Sequence, residues 1–181
     1  MAVQIGARPD SGFDDPLGML KDCHRRIENF LRVLCAVAGD DAGAALGEEK
    51  QRAVEAALVY FRVGGVRHMR DEEESLFPRL QRAAGAESLE PLRRLEVEHR
   101  EADRLHADVE RLFTEWLERG ALQAEEAAAL RAATERLRDL YAEHIWLEEE
   151  MVFPRAAEVL GGGAIAEIGA EFRARRDLPR P

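Results

Sequence analysis

Apolar residues recur at spacings of three and four over most of the chain, the pattern of helices that bury one face. The first stripe is Leu17, Leu20, His24, Ile27, Leu31 and Leu34. It predicts a helix that opens at Asp14, Asp15 and Pro16, where acids and proline suit a first turn, and runs to about Ala38. Gly39 to Gly47 reads as a turn region. A second helix begins near Glu48 and carries Val54, Leu58, Phe61, His68 and Glu72 on one face. It is expected to bend or stop near Pro78, which has no N–H for the helical ladder. Gly64 and Gly65 lie in its middle, each costing about 1 kcal/mol against alanine, and imply either a bend or space beside the face that follows. A third helix fits about Glu90 to Arg119, with Leu95, His99, His106, Phe113 and Trp116 inward, and Gly120 ends it. A fourth runs from about Ala124 to Leu160, with Leu137, Tyr141, His144 and Glu148 inward, and is stopped by Gly161 to Gly163. Ile165, Ile168 and Phe172 mark a short amphipathic segment beyond it, and the polar residues 1–13 read as flexible. The fold class that follows is all-α: an antiparallel up-down four-helix bundle over 14–160, with a C-terminal extension over 161–181 that holds a short helix.

Composition agrees with this reading: 46% of residues are hydrophobic and only 6% aromatic, and Ala, Leu, Glu and Arg dominate. The length of 181 residues favours one domain with a core of its own. A net charge of −10 repels a phosphate backbone, which argues against nucleic acid as a partner. No apolar run approaches the roughly 20 residues that cross a bilayer, and the opening MAVQIGARPDSG lacks the apolar core of a signal peptide. A cytoplasmic protein is the expectation. Cys23 and Cys35 lie on one helix about 18 Å apart, too far for a disulfide, and free thiols fit that setting.

Two segments repeat. His68-Met-Arg-Asp-Glu72-Glu-Glu-Ser-Leu-Phe77-Pro78-Arg79 matches His144-Ile-Trp-Leu-Glu148-Glu-Glu-Met-Val-Phe153-Pro154-Arg155 in register. The first and third helices match more weakly, pairing Leu20 with Leu95, His24 with His99 and Arg25 with Arg100. The chain is a duplicated helical hairpin. Each long helix therefore places one histidine in its apolar stripe, and in a bundle the four imidazoles converge. Glu72 and Glu148 lie four residues beyond a histidine, on the same face and one turn away. Glu73 and Glu74 fall about 140° and 240° round from His68; they and the pair Glu149–Glu150 read as solvated or supporting groups.

Four imidazoles and two carboxylates cannot be buried together in an apolar core without a cation. A mixed imidazole and carboxylate set suits iron, zinc or manganese, and lacks the thiolates of a structural zinc site. Two ions that share both carboxylates would each have two histidines and two oxygens, which leaves room for a small exogenous ligand. The ferritin-like alternative needs Glu-x2-His on two helices; here only Glu96-x2-His99 fits, since Lys21 and Tyr141 stand at the matching places before His24 and His144.

The twice-present His-x3-Glu-Glu-x3-Phe-Pro motif, with Asp-Pro-Leu ahead of a histidine on the first helix, resembles the hemerythrin-like, or HHE cation-binding, family over about Asp15 to Leu160. The resemblance implies a non-haem centre of two iron ions between four helices, with His24, His68, Glu72, His99, His144 and Glu148 as ligands. It implies dioxygen, nitric oxide or peroxide as small-molecule partner. A binding or sensing module is the leading expectation, with an oxidase or peroxidase-type enzyme and an iron store as alternatives. The chain departs from the oxygen-carrier branch, which has a second histidine four residues after the one on the third helix. Here that place is Asp103. His106 lies about 10 Å along the axis from His99, too far to share its ions, and has access lining as its candidate role. Tyr141 and, more weakly, Tyr60 are candidates for lining the ligand pocket, with core packing as the ordinary alternative. Cys23, beside His24 but rotated about 100° away, has a weak claim to a redox role.

Overall fold

A computed structural model describes residues 10–41, 43–84 and 89–177. It is helical throughout, with no strand among the described residues. Five helices follow in order. Helix α1 is Pro16–Asp40, α3 is Leu89–Arg119 and α5 is Gly162–Asp177. Helix α2 is a continuous rod made of Glu48–Tyr60, Phe61–Gly65, Val66–Asp71, Glu72–Leu76 and Phe77–Ala84; the second and fourth pieces are π-helical turns. Helix α4 is likewise Ala124–Leu147, a π turn at Glu148–Val152, and Phe153–Val159. Of the opening residues 1–13, residues 1–9 lie outside the described residues.

The boundaries have local causes. The Asp15 side chain accepts from the Gly18 N–H at 3.0 Å, capping α1 with Pro16 at its first position. Gly43 and Gly120 take φ of 83° and 77° in the two short connections, a conformation that glycine adopts without steric cost. These two turns meet: Leu122 N–H donates to the Gly43 carbonyl, and Trp116 Nε1 donates to the Ala44 carbonyl at 2.8 Å. At the start of α4 the Glu126 carboxylate accepts from the Gln123 N–H at 2.9 Å.

Pro78 does not end α2: of the bend or stop expected from sequence, no stop occurs. The rod widens instead: the Phe77 N–H reaches back to the Glu72 carbonyl, a five-residue bond, and helix resumes at Phe77. Pro78 then sits in the first turn of a new α segment, where a missing N–H has no intrahelical acceptor to disappoint. The same thing happens at Pro154, with Phe153 N–H on the Glu148 carbonyl. The third π turn holds Gly64 and Gly65. A Cβ on Gly64 would stand 2.7 Å from the Tyr60 ring, so Gly64 makes room for Tyr60 rather than for a ligand.

The rods pack α1 against α2 and α4, and α3 against α4 and α2. Two apolar clusters result. One holds Ile27, Leu34, Phe61, Phe113, Trp116 and Leu137; the other holds Leu20, Phe77, Leu95, Phe153, Ile168 and Phe172. On each of the four long helices the histidine of the stripe lies between residues of the two clusters. A polar layer thus crosses an otherwise apolar interior. Helix α5 closes the second cluster with Ile168 and Phe172, both fully buried.

Candidate metal centre

All six residues of the sequence-derived set reach this layer, and none is more than 6% exposed. They form two groups that share both carboxylates. His24, His68, Glu72 and Glu148 make one; His99, His144, Glu72 and Glu148 make the other, with ligand atoms in each group within 4.8 Å of one another. His24 Nε2 lies 3.0 Å from Glu148 Oε2, and His68 Nε2 lies 3.3 Å from Glu72 Oε1. Across the layer His99 Nε2 is 3.4 Å from Glu72 Oε2, and His144 Nε2 is 3.4 Å from Glu148 Oε2. His99 and His144 bring their Nε2 atoms to 3.2 Å. Each carboxylate therefore faces histidines from both hairpins.

The outer nitrogens have carboxylate partners of their own. His24 Nδ1 donates to Glu149 at 2.7 Å, and His99 Nδ1 donates to Glu73 at 2.7 Å. These two glutamates hold equivalent places in the repeat, each reaching a histidine of a neighbouring rod. His144 Nδ1 donates to Glu98 at 3.0 Å, and Glu98 in turn accepts from Arg94 Nε at 2.6 Å. Sequence reasoning did not pick out Glu98, although it directly precedes His99. Such carboxylate–imidazole pairs fix the tautomer and turn Nε2 towards a shared centre.

The electrostatics of this layer are those of a site built for positive charge. Burial pushes the His24 imidazole down, but the carboxylates of Glu148, Glu149 and Glu72 around it reverse this and hold its pKa well above the ordinary value. His99 is opposed by burial in the same way and lifted by Glu72 and Glu73 to about 10. His68 has no such help: burial outweighs the attraction of Glu72 and takes its pKa to about 3. Glu148 is raised, by burial and then by the charge of Glu72, while Glu72 is held well below the ordinary carboxylate range by His68, His24 and His99 against the effect of burial. Two carboxylates sharing one buried space cannot both ionise freely.

Whether a cation fits can be judged from the unpaired atoms. Among the described residues seven buried side-chain atoms have no hydrogen-bond partner: His24 Nε2, both ring nitrogens of His68, and all four oxygens of Glu72 and Glu148. Unpartnered buried polar groups are rare because each costs about 1–3 kcal/mol. Here all seven belong to one cluster of nitrogen and oxygen donors. Divalent metal at the centre would engage six of them, and the donor set suits iron, manganese or zinc.

Beside the layer lies a cavity of about 200 Å³, lined by His68, His99 and His144 and by Phe61, His106 and Tyr141. His106 Nε2 accepts from the Tyr141 hydroxyl at 3.0 Å. Burial takes the His106 pKa down to about 4 and pushes the Tyr141 phenol up, so the pair is neutral over the ordinary pH range. Tyr60 lies elsewhere and donates to the Cys23 carbonyl at 3.3 Å. Cys23 is buried with a free thiol.

No curated protein matches the chain. No helix of the described residues is long and apolar enough to cross a membrane. Residues 15–164 match the Hemerythrin HHE cation binding domain, a span that contains all six clustered residues and both π turns at the glutamates. The chain belongs to the hemerythrin HHE cation-binding family.

Proposed function

We propose that this protein holds two iron ions at the polar layer and uses them to bind or sense a small ligand such as dioxygen, nitric oxide or peroxide. His24 and His68 would hold one ion, His99 and His144 the other, with Glu72 and Glu148 shared between them. The observation that carries the reading is the pair of four-residue groups with common carboxylates, in which His24 Nε2, His68 Nε2 and all four carboxylate oxygens find no hydrogen-bond partner among the described residues. We read the four long rods as an antiparallel up-down bundle over 14–160. In support, α1 and α3 pass from the Leu20 and Leu95 cluster to the other one, and α2 and α4 pass the opposite way.

When bound, redox-active iron would supply reversible electron exchange with the ligand. The residues around it supply the enclosure. The cavity bordered by Phe61, His106 and Tyr141 is large enough for a diatomic molecule and opens onto three of the four histidines. Its mostly apolar lining favours a small uncharged guest over an ion.

The test is metal analysis and absorption spectroscopy on protein expressed with ample iron. Two irons per chain are expected, with a charge-transfer band that changes on adding oxygen, azide or nitric oxide. The His68→Ala/His144→Ala variant should lose that metal and remain largely helical, since the apolar stripes persist. A colourless wild-type protein that holds only zinc would refute the iron reading. Full metal retention in the variant would refute the ligand assignment.

A further inference from the structure

The two hairpins present their histidines to the layer in the same way, with one exception. Three of the four outer ring nitrogens donate to carboxylates: His24 to Glu149, His99 to Glu73 and His144 to Glu98. His68 Nδ1 is buried and has no partner among the described residues. The repeat explains the gap. His68 corresponds to His144, so its support should come from the place that corresponds to Glu98. That place, one residue before His24, is Cys23, and the place of Arg94, which steadies Glu98, is Met19. The Cys23 thiol is a weak acceptor at best, and it lies beside Arg26 Nη1 at 3.8 Å.

A histidine that binds metal through Nε2 must carry its proton on Nδ1. At His144 that N–H meets a carboxylate, which raises ligand basicity and locks the ring. At His68 the same N–H is buried and meets no acceptor among the described residues. Losing an outer partner of this kind weakens metal affinity by about 10- to 100-fold. We infer that the two metal positions are unequal: the His99–His144 position holds its ion tightly, the His24–His68 position is the labile one, and Cys23 in place of a carboxylate sets the difference. This rests on the dinuclear reading above. It makes the second ion the one that exchanges or is lost first.

The test is an anaerobic titration of the metal-free full-length chain with cobalt(II), followed by calorimetry and by the shifted N–H proton signals of the histidine rings. Two binding steps per chain are expected, separated by about 10- to 100-fold in affinity. The first step should shift His99 and His144, and the second His24 and His68. In Glu98→Cys, which copies the first hairpin onto the second, the tight step should weaken until the two merge. If that variant does not fold, the order of filling in the wild-type chain decides alone. Two steps of equal affinity, or His24 and His68 responding first, would overturn this inference and leave the dinuclear reading standing. Fewer than two cobalt ions at saturation would overturn the dinuclear reading and this inference with it.

Discussion

The residue before the first shared glutamate gives a sharp test of how the fold supports the site. Asp71 is fully buried, and its carboxylate accepts from Arg175 at 2.6 Å and from Arg176 at 2.7 Å. Both arginines come from α5, most of which lies beyond the matched span. Arg175 also reaches Glu74 at 3.2 Å and the Ser75 hydroxyl, so α5 grips the π turn that begins at Glu72. In the double variant Arg175→Met/Arg176→Met, Asp71 would be a buried charge with no counter-ion. Breaking a buried pair in this way costs about 3–5 kcal/mol. The repeat supplies the control: the place of Asp71 in the second hairpin is Leu147, itself buried. Adding Asp71→Leu to the double variant should recover most of the loss, because a well-packed apolar residue replaces an ion pair at little or no cost. Urea denaturation followed by circular dichroism reads both numbers, and iron content reads the effect on the turn. A loss below about 1 kcal/mol in the double variant, or no recovery in the triple, would show that the arginines do not neutralise Asp71 as argued.

Other outcomes follow from single contacts. A Cβ on Gly169 would lie 1.8 Å from the Phe13 carbonyl oxygen, so Gly169→Ala should push α5 away from the chain entry and cost about 1–3 kcal/mol in thermal melts; an unchanged melting temperature would contradict the close approach. His106 stays neutral down to about pH 4 in the fold, whereas its ordinary pKa is 6.5, so the unfolded chain takes up a proton that the fold refuses. Its share of stability is therefore lost as pH falls from about 6.5 towards 4, by about 2 kcal/mol between pH 7 and pH 5. His106→Leu, in metal-free protein, should flatten the pH dependence by that amount, even if the unpaired Tyr141 hydroxyl lowers stability at every pH. Glu73→Leu should release His99 and reduce metal affinity about 10- to 100-fold, read by competition with a chelator; unchanged affinity would make Glu73 a spectator.

Much of this was legible in the chain because its signals are local or repeated. One stripe position fixes one buried face, so Leu20, His24 and Ile27 announce both a helix and the depth of its histidine. The duplicated motif then brings Glu72 and Glu148 to one site without any knowledge of packing. What could not be read depends on the neighbouring rod. Glu98 serves His144 across α3 and α4, and nothing in its own stretch of sequence separates it from Glu96 and Glu101 nearby. Asp71 reads as one more charge in an acidic run, and only the arrival of α5 makes it a buried ion-pair partner. The π turns were invisible for another reason. They change a hydrogen bond by one residue, and no residue preference marks that change. Proline reads as a bend or a stop because the regular ladder has no place for it.

The π turns also explain why two adjacent glutamates act on one centre. On a regular helix neighbours diverge by about 100°, which from spacing alone turns Glu73 and Glu149 away from the centre and leaves them as solvated or supporting groups. A bond that closes over five residues turns the chain less per residue. Glu72 can then face the centre while Glu73 stays close enough to the same side to reach His99 on α3, and Glu148 and Glu149 divide the work towards His24 in the same manner. The proline that follows keeps the resumed helix from reclaiming the regular register, since it has no N–H with which to restore the four-residue bond. One short device, written twice as Glu-Glu-Glu-x-x-Phe-Pro, therefore delivers a central carboxylate and a support for a neighbouring histidine from a single turn. The device needs both hairpins to be complete, because each turn supports a histidine that belongs to the other one. The difference between Cys23 and Glu98 then matters more than an ordinary surface change: it lies at the one point where the two halves do not return the same support.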